Sequence, residues 1–247
     1  MEILSMSSIR LSSVAAAAVL LVSAAASAQS VNDGNWHGSI SAGGAFASGN
    51  TTSRVMTAGA DATRATAADK ISLYAAANYA RAGNTTTANL GRLGGRYDYN
   101  LSQSLFAFGG GEYETNKAGG LKSRYGVNAG LGYRWVRSAT AQVDVFGGVG
   151  YSDSTYTNNT SADGAELILG EEGSYKLSAS TTIKQRLVFY PGLGDLGNRA
   201  TFDAGVATAI SGGWTLNTGL AWRYNSEPAA GMKKTDTLLT VGFGYKY

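Results

Sequence analysis

The stretch that decides the fold is Thr237-Leu238-Leu239-Thr240-Val241-Gly242-Phe243-Gly244-Tyr245-Lys246-Tyr247. Leu239, Val241, Phe243, Tyr245 and Tyr247 alternate with Thr240, Gly242, Gly244 and Lys246. A period of two puts the first set on one face of a β-strand and the second on the other. A strand of this kind with a free edge would recruit other chains. Closing the sheet on itself removes the edge. In a bilayer, closure also satisfies the backbone N–H and C=O groups while the apolar face meets lipid. The expectation is therefore a last strand that pairs with the first strand of a transmembrane barrel.

Composition agrees with that reading. The 247 residues suffice for one large β domain or two small ones. Charged residues make up 15%, against about 25% in soluble domains. Gly is abundant at 34, Tyr reaches 14 and Pro is only 2, which suits long strands with small side chains facing a crowded interior. The absence of cysteine removes disulfides and thiolate metal sites. A single histidine, His37, excludes a multi-histidine metal centre within one chain. A net charge of +3 is too small and too dispersed for a nucleic-acid partner, and no cofactor is expected.

Leu11 to Ala26 is an apolar, Ala-rich run ending in the small-residue pattern Ala26-Ser27-Ala28. It reads as an export signal cleaved after Ala28, so residues 1–28 are expected to be a signal peptide and 29–247 the barrel. Met6 is a candidate start. The run is short and broken by serines, unlike a spanning helix.

Twelve alternating segments follow. They are Trp36 to Ala47, Thr52 to Ala65, Lys70 to Arg81, Thr87 to Asn100, Ser104 to Thr115 and Lys122 to Arg137. The second half has Ala141 to Ser152, Ala165 to Leu177, Thr182 to Tyr190, Ala200 to Ile210, Trp214 to Tyr224 and the terminal strand. Ser48-Gly49-Asn50-Thr51 is a turn signal. The connections after even strands are short: Thr66 to Asp69, Leu101 to Gln103, Ser138 to Thr140, Ala179 to Thr181 and Ser211 to Gly213. Those after odd strands are generally longer, and Asp153 to Gly164 reads as the longest polar loop. Bacterial outer-membrane barrels have short periplasmic turns and longer external loops, and an even strand count puts both termini on the periplasmic side. Trp36, Tyr97, Tyr99, Trp135, Tyr190, Trp214, Tyr224 and Tyr247 fall near strand ends, as interfacial girdles require. Glu171 lands on the apolar face of its strand, so a bulge or register change is expected there. The fold class is thus all-β, a transmembrane antiparallel up-and-down barrel of about twelve strands. A soluble barrel or sandwich, with its apolar face inward, is the alternative.

The chain resembles the salt-induced outer-membrane protein family, whose function is undefined. The likeness rests on Trp36 with Gly38-Ser39-Ile40, Ser48-Gly49-Asn50-Thr51, Arg96-Tyr97-Asp98-Tyr99, Leu105-Phe106 and Gly130-Leu131-Gly132-Tyr133. It continues through Tyr190-Pro191-Gly192-Leu193, Glu227-Pro228 and Lys233-Lys234-Thr235-Asp236-Thr237. It covers nearly all of the chain after residue 28. It implies an outer-membrane barrel linked to salt or osmotic stress, and supplies no catalytic residues. The row Leu239, Val241, Phe243, Tyr245 and Tyr247 resembles the signal that barrel-assembly machinery reads, which makes that machinery and outer-membrane lipid the expected partners.

The candidate chemistry is sparse. Gly192-Leu193-Gly194-Asp195-Leu196-Gly197 matches G-x-G-x-x-G, but it leads into a strand, not into the helix a dinucleotide phosphate needs. Asn84-Thr85-Thr86 and Asn158-Asn159-Thr160 mark exposed polar turns. A lipid hydrolase would have to use His37 as its base, at the wrong end of the barrel for the outer leaflet. Binding or adhesion would reside in Asp153 to Gly164 and Asn225 to Lys234. Alternation turns the remaining charges inward. The cations are Arg92, Arg96, Lys122, Arg124, Arg134, Lys184, Arg186 and Arg223; the anions are Asp98, Glu112, Glu114, Asp144, Glu166, Glu172 and Asp203. These could line a narrow path for small solutes or ions, or pair across the lumen and close it. Their mixed signs argue against strong ion selectivity.

Overall fold

The computed structural model describes residues 32–47 and 53–247. The Met1-to-Ala28 segment, the Ser48-to-Thr51 turn and the side chain of Phe46 lie outside that description. Twelve strands follow one another: β1 (Trp36–Ala47), β2 (Ser53–Ala65), β3 (Asp69–Ala82), β4 (Thr85–Asn100), β5 (Leu105–Asn116) and β6 (Leu121–Arg137). They continue as β7 (Ala141–Tyr156), β8 (Ser161–Lys176), β9 (Thr181–Pro191), β10 (Asn198–Ser211), β11 (Trp214–Asn225) and β12 (Thr235–Lys246). Every strand is antiparallel to its sequence neighbours, and β12 returns to β1, so the sheet is a closed barrel. No described helix is long and apolar enough to cross a membrane, and the strands are the crossing elements that the alternation implies.

The outer wall is the apolar one. Leu131, Val127, Val149, Leu169, Phe243 and Leu239 are all exposed large hydrophobics, as are Trp36, Trp135, Trp214 and Tyr245 near the short-turn end. This inverts a soluble β-protein, where such residues would be covered. The bulky exposed residues concentrate on β6 through β12. Between the rims, β1 to β5 present many small residues outward instead, among them Ala60, Ala75, Ala77, Gly95 and Gly109.

Three details differ from expectation. Asp153 to Gly164 is not a long loop, because β7 and β8 pair as far as Thr155 opposite Ser161. Its Thr and Tyr residues are strand formers, and polarity alone does not end the ladder. β8 runs without a register break against β7 or β9; Glu171 therefore stays on the outer wall. Tyr190 is not a girdle residue: it is 5% exposed and points inward.

The seam between β1 and β12 is short. Among the described residues, Ser39 to Ala42 pair with Phe243 to Lys246. Gly38 and Tyr247 then exchange two backbone hydrogen bonds of 3.2 and 3.1 Å. The Tyr247 ring lies over Gly38, where any Cβ would collide with it. By contrast β1 pairs with β2 along its whole length. Beyond the paired part, Leu238 packs inside the barrel against the cluster of Val55 and Ala80, as does Ala45.

Candidate functional site

The lumen is the candidate site, and its packing begins with aromatic rings lying on glycines. Phe106, Phe108 and Phe146 point inward from β5 and β7 and are nearly buried. Gly132, Gly130 and Gly170 sit beneath these rings, and a Cβ on Gly132 or Gly170 would overlap them. Gly94 gives the same room to Tyr74. The high glycine content thus has a local cause: small residues on one strand let a ring from its neighbour lie flat across the wall.

Charge is layered onto that aromatic floor. The guanidinium of Arg96 lies 5.3, 4.9 and 5.0 Å from the ring centres of Phe106, Phe108 and Phe146, within cation–π range. It also holds Asp98 at 2.5 Å and Glu172 at 3.3 Å. Lys70 reaches the same two carboxylates at 3.0 and 3.7 Å, and Arg186 approaches Glu172 at 3.6 Å. Since β3 and β4 lie across the barrel from β8, the Lys70–Glu172 and Arg96–Glu172 contacts cross the lumen.

A second tier stands towards the other end. Arg92 bridges Glu112 at 3.6 Å and, across the lumen, Asp203 at 3.8 Å. The Tyr74 hydroxyl donates to Glu112 at 3.0 Å. Arg223 pairs with Asp203 at 2.6 Å; beyond this tier, nearer the loop end, Arg199 pairs with Glu166 at 2.6 Å and Arg124 with Glu114 at 3.5 Å.

These tiers shape the free space. At the short-turn end two cavities of about 570 and 310 Å³ share Gln142 in their linings. Lys70, Arg134, Arg137, Asp69 and Asp144 surround the first; Lys176, Lys184, Lys246, His37 and Asp61 surround the second. The waist beyond them keeps about 60 Å³ between Tyr74, Arg96, Glu112, Glu172, Arg186 and Tyr190, room for only a handful of waters. At the far end about 70 Å³ remains, lined in part by Pro228, Ala229, Lys233 and Lys234 of the β11–β12 connection. Among the described residues the cavities are widest at the short-turn end and narrow to small spaces between side chains at the middle.

The inward candidates fall at different places. Arg92, Arg96, Asp98, Glu112, Glu172, Arg186, Asp203 and Arg223 lie in the two tiers, while Arg124, Glu114 and Glu166 stand near the loop end. Arg134 sits at the turn-end rim, reaching Asn100 and the carbonyls of Ser102 and Gln103. Asp144 has Arg137 at 2.5 Å, close but poorly angled for a hydrogen bond on that oxygen. Lys184 lines the second of the turn-end cavities. Lys122 departs from the pattern: it is exposed, because a bulge between Leu121 and Ser123 breaks the alternation that would have paired its face with Arg124.

Lys70, Arg199 and the aromatic floor were missed. Lys70 was legible, since it alternates against Ile71, Leu73 and Ala75 on one strand. The inward Phe residues were not, because period two tells which residues share a face but not that rings can also face a lumen.

His37 lies at the turn end. Its Nε2 meets Asp33 at 2.9 Å, and the backbone N–H of Asn35 together with that ring holds the Asp33 carboxyl down to about 2. The nearby Ser39 hydroxyl donates to Asp61, not to His37. A Ser–His hydrolytic pair needs the serine on the histidine. Gly192 to Gly197 holds only a 3₁₀ turn, Gly194–Leu196, with Gly194 and Gly197 at positive φ of 68° and 72°; it offers no phosphate-binding helix start.

Several solved barrels are similar in outline. The translocator domain of the autotransporter NalP from Neisseria meningitidis matches at TM-score 0.46 and 14% identity, covering 86% of this chain and 87% of that one. NanC porin matches at 0.48 and 7% identity over 85% and 96%, and KdgM porin at 0.44 and 11% over 86% and 99%. No curated protein matches the chain. A family match spans residues 40–247, and the chain belongs to the family described as protein of unknown function, DUF481.

Proposed function

We propose that this chain is a bacterial outer-membrane barrel, without catalytic activity, that passes small polar solutes or ions through a narrow lumen gated at its waist. The observation that carries this is the row of ion pairs crossing the lumen at Glu172 and Asp203, standing above the wider cavities of the short-turn end. Ion pairs are a closure that water and passing ions can replace, whereas a packed apolar core is not. The short-turn end faces the periplasm in this reading, as in other outer-membrane barrels. The outward row Leu239, Val241, Phe243, Tyr245 and Tyr247 serves the assembly machinery that inserts the strand. A role in salt or osmotic stress fits such a valve, since ionic strength weakens the pairs that hold it shut, and rests otherwise on the family resemblance.

The test is conductance in planar bilayers. Wild-type protein is expected to give small discrete steps, more open at high salt. Arg92→Ala and Glu172→Ala, which cut the cross-lumen pairs, are expected to raise the open fraction several-fold. Silence of the wild type and both variants at every salt concentration would leave the second reading, a sealed structural barrel, which the filled waist itself favours.

A further inference from the structure

The waist holds donors that the chain itself does not use. Ser72 of β3, Arg96 of β4 and Arg186 of β9 line its space of about 60 Å³. The Ser72 hydroxyl, Nη2 of Arg96 and Nε of Arg186 are shielded from solvent and have no hydrogen-bond partner among the described residues. Nε of Arg186 stands 3.6 Å from Glu172, beyond hydrogen-bond length. The two carboxylates lining the same space are engaged. Glu172 has Lys70, Arg96 and Arg186 within 3.7 Å. Glu112 has Arg92 at 3.6 Å and accepts from the Tyr74 hydroxyl at 3.0 Å.

Charge is also out of balance at this level. Lys70, Arg96 and Arg186 meet two carboxylates, Asp98 and Glu172. The next tier does not make up the difference, since Arg92 and Arg223 there already match Glu112 and Asp203. Asp144, towards the rim, has Arg137. The Phe106, Phe108 and Phe146 rings attract the Arg96 charge but carry none to cancel it. Water satisfies orphaned donors, yet it leaves the excess charge in place, and an uncompensated charge away from bulk solvent is costly.

We propose that the waist binds one small monovalent anion of halide size, held by Ser72, Arg96 and Arg186. Its single charge matches the single excess, its acceptor character matches the three idle donors, and the space excludes anything much larger. The site names the ion class for the narrow path proposed above and rests on that reading for a route into the waist.

Two measurements test it. Full-length barrel is folded into lipid vesicles, and its urea midpoint is followed as chloride replaces gluconate at constant ionic strength. A ligand of the folded state alone raises stability in a saturable way, so the wild-type midpoint is expected to climb and level off. Arg186→Gln is expected to abolish the response, and Ser72→Ala to move half-saturation at least threefold higher in chloride. If Arg186→Gln does not fold, Ser72→Ala decides. Crystals of the wild-type barrel grown in bromide are expected to show an anomalous peak between Ser72, Arg96 and Arg186. A chloride response shared by wild type and every folded variant, or bromide found only elsewhere, overturns the proposal. Conductance fails separately: a silent barrel with bromide in its waist sinks the ion path and keeps the site, whereas a conducting barrel with an unoccupied waist sinks the site alone.

Discussion

Glu171 and Glu172 are adjacent in β8 and face opposite worlds. Glu172 is nearly buried in the lumen with Lys70, Arg96 and Arg186 within 3.7 Å. Glu171 points outward, and its near polar neighbour is a neutral carboxamide. One residue of translation changes a carboxylate from the hub of a cationic cluster into a polar defect on an apolar wall. The lesson is that in a barrel a residue's chemistry follows from its parity, not from its neighbours in sequence. A slip of one residue along β8 would turn Glu172 outward and set Glu171 or Gly173, depending on its direction, in its place against the three cations.

Breaking the inner member should cost most. Glu172→Leu takes from Arg186 its carboxylate at 3.6 Å and leaves Lys70 and Arg96 to share Asp98 alone, and is expected to destabilise the barrel by about 3 kcal/mol, read as a lower urea midpoint for folding into lipid vesicles. Crowding the floor beneath the cluster comes next. Gly132→Val would drive a methyl into the Phe106 ring and displace the cage around Arg96, costing about 1 to 3 kcal/mol by the same measurement. Lys122 sets the lower limit. Sequence parity groups it with Glu172 as an inward charge, but the structure exposes it, so Lys122→Ala should change stability by less than about 0.5 kcal/mol. A cost as large as that of Glu172→Leu would restore Lys122 to the lumen and remove the bulge.

Much of this was legible beforehand. All twelve strands can be read from alternation and turn chemistry, within a few residues at each boundary, because the outer wall must stay apolar along every crossing. The tiers of charge were legible for the same reason. Three kinds of feature were hidden. A bulge such as that beside Lys122 leaves no trace in residue type. Hydroxyl-rich strand ends, as at Ser152 to Thr155, look like loops because they are polar, and polarity alone does not end a ladder. Inward rings such as Phe108 look like lipid-facing ones until the facing glycines are placed. Glu171 is the reverse case: its oddity was visible, and assigning it to a bulge was mistaken because the uninterrupted ladder on both sides of β8 holds it where the alternation put it.

The abbreviated seam between β1 and β12 also bears on how the wall yields under thermal motion. Elsewhere neighbouring strands are stitched along most of their length, whereas here the described pairing is confined to the turn end. Backbone ladders resist opening in proportion to their length, so local breathing has its lowest threshold along this line. Leu238 of β12 and Ala45 of β1 both pack against the Val55–Ala80 cluster, so beyond the ladder the two strands are held through a shared apolar cluster on β2 and β3, and the compliance of the cylinder is greatest along that line.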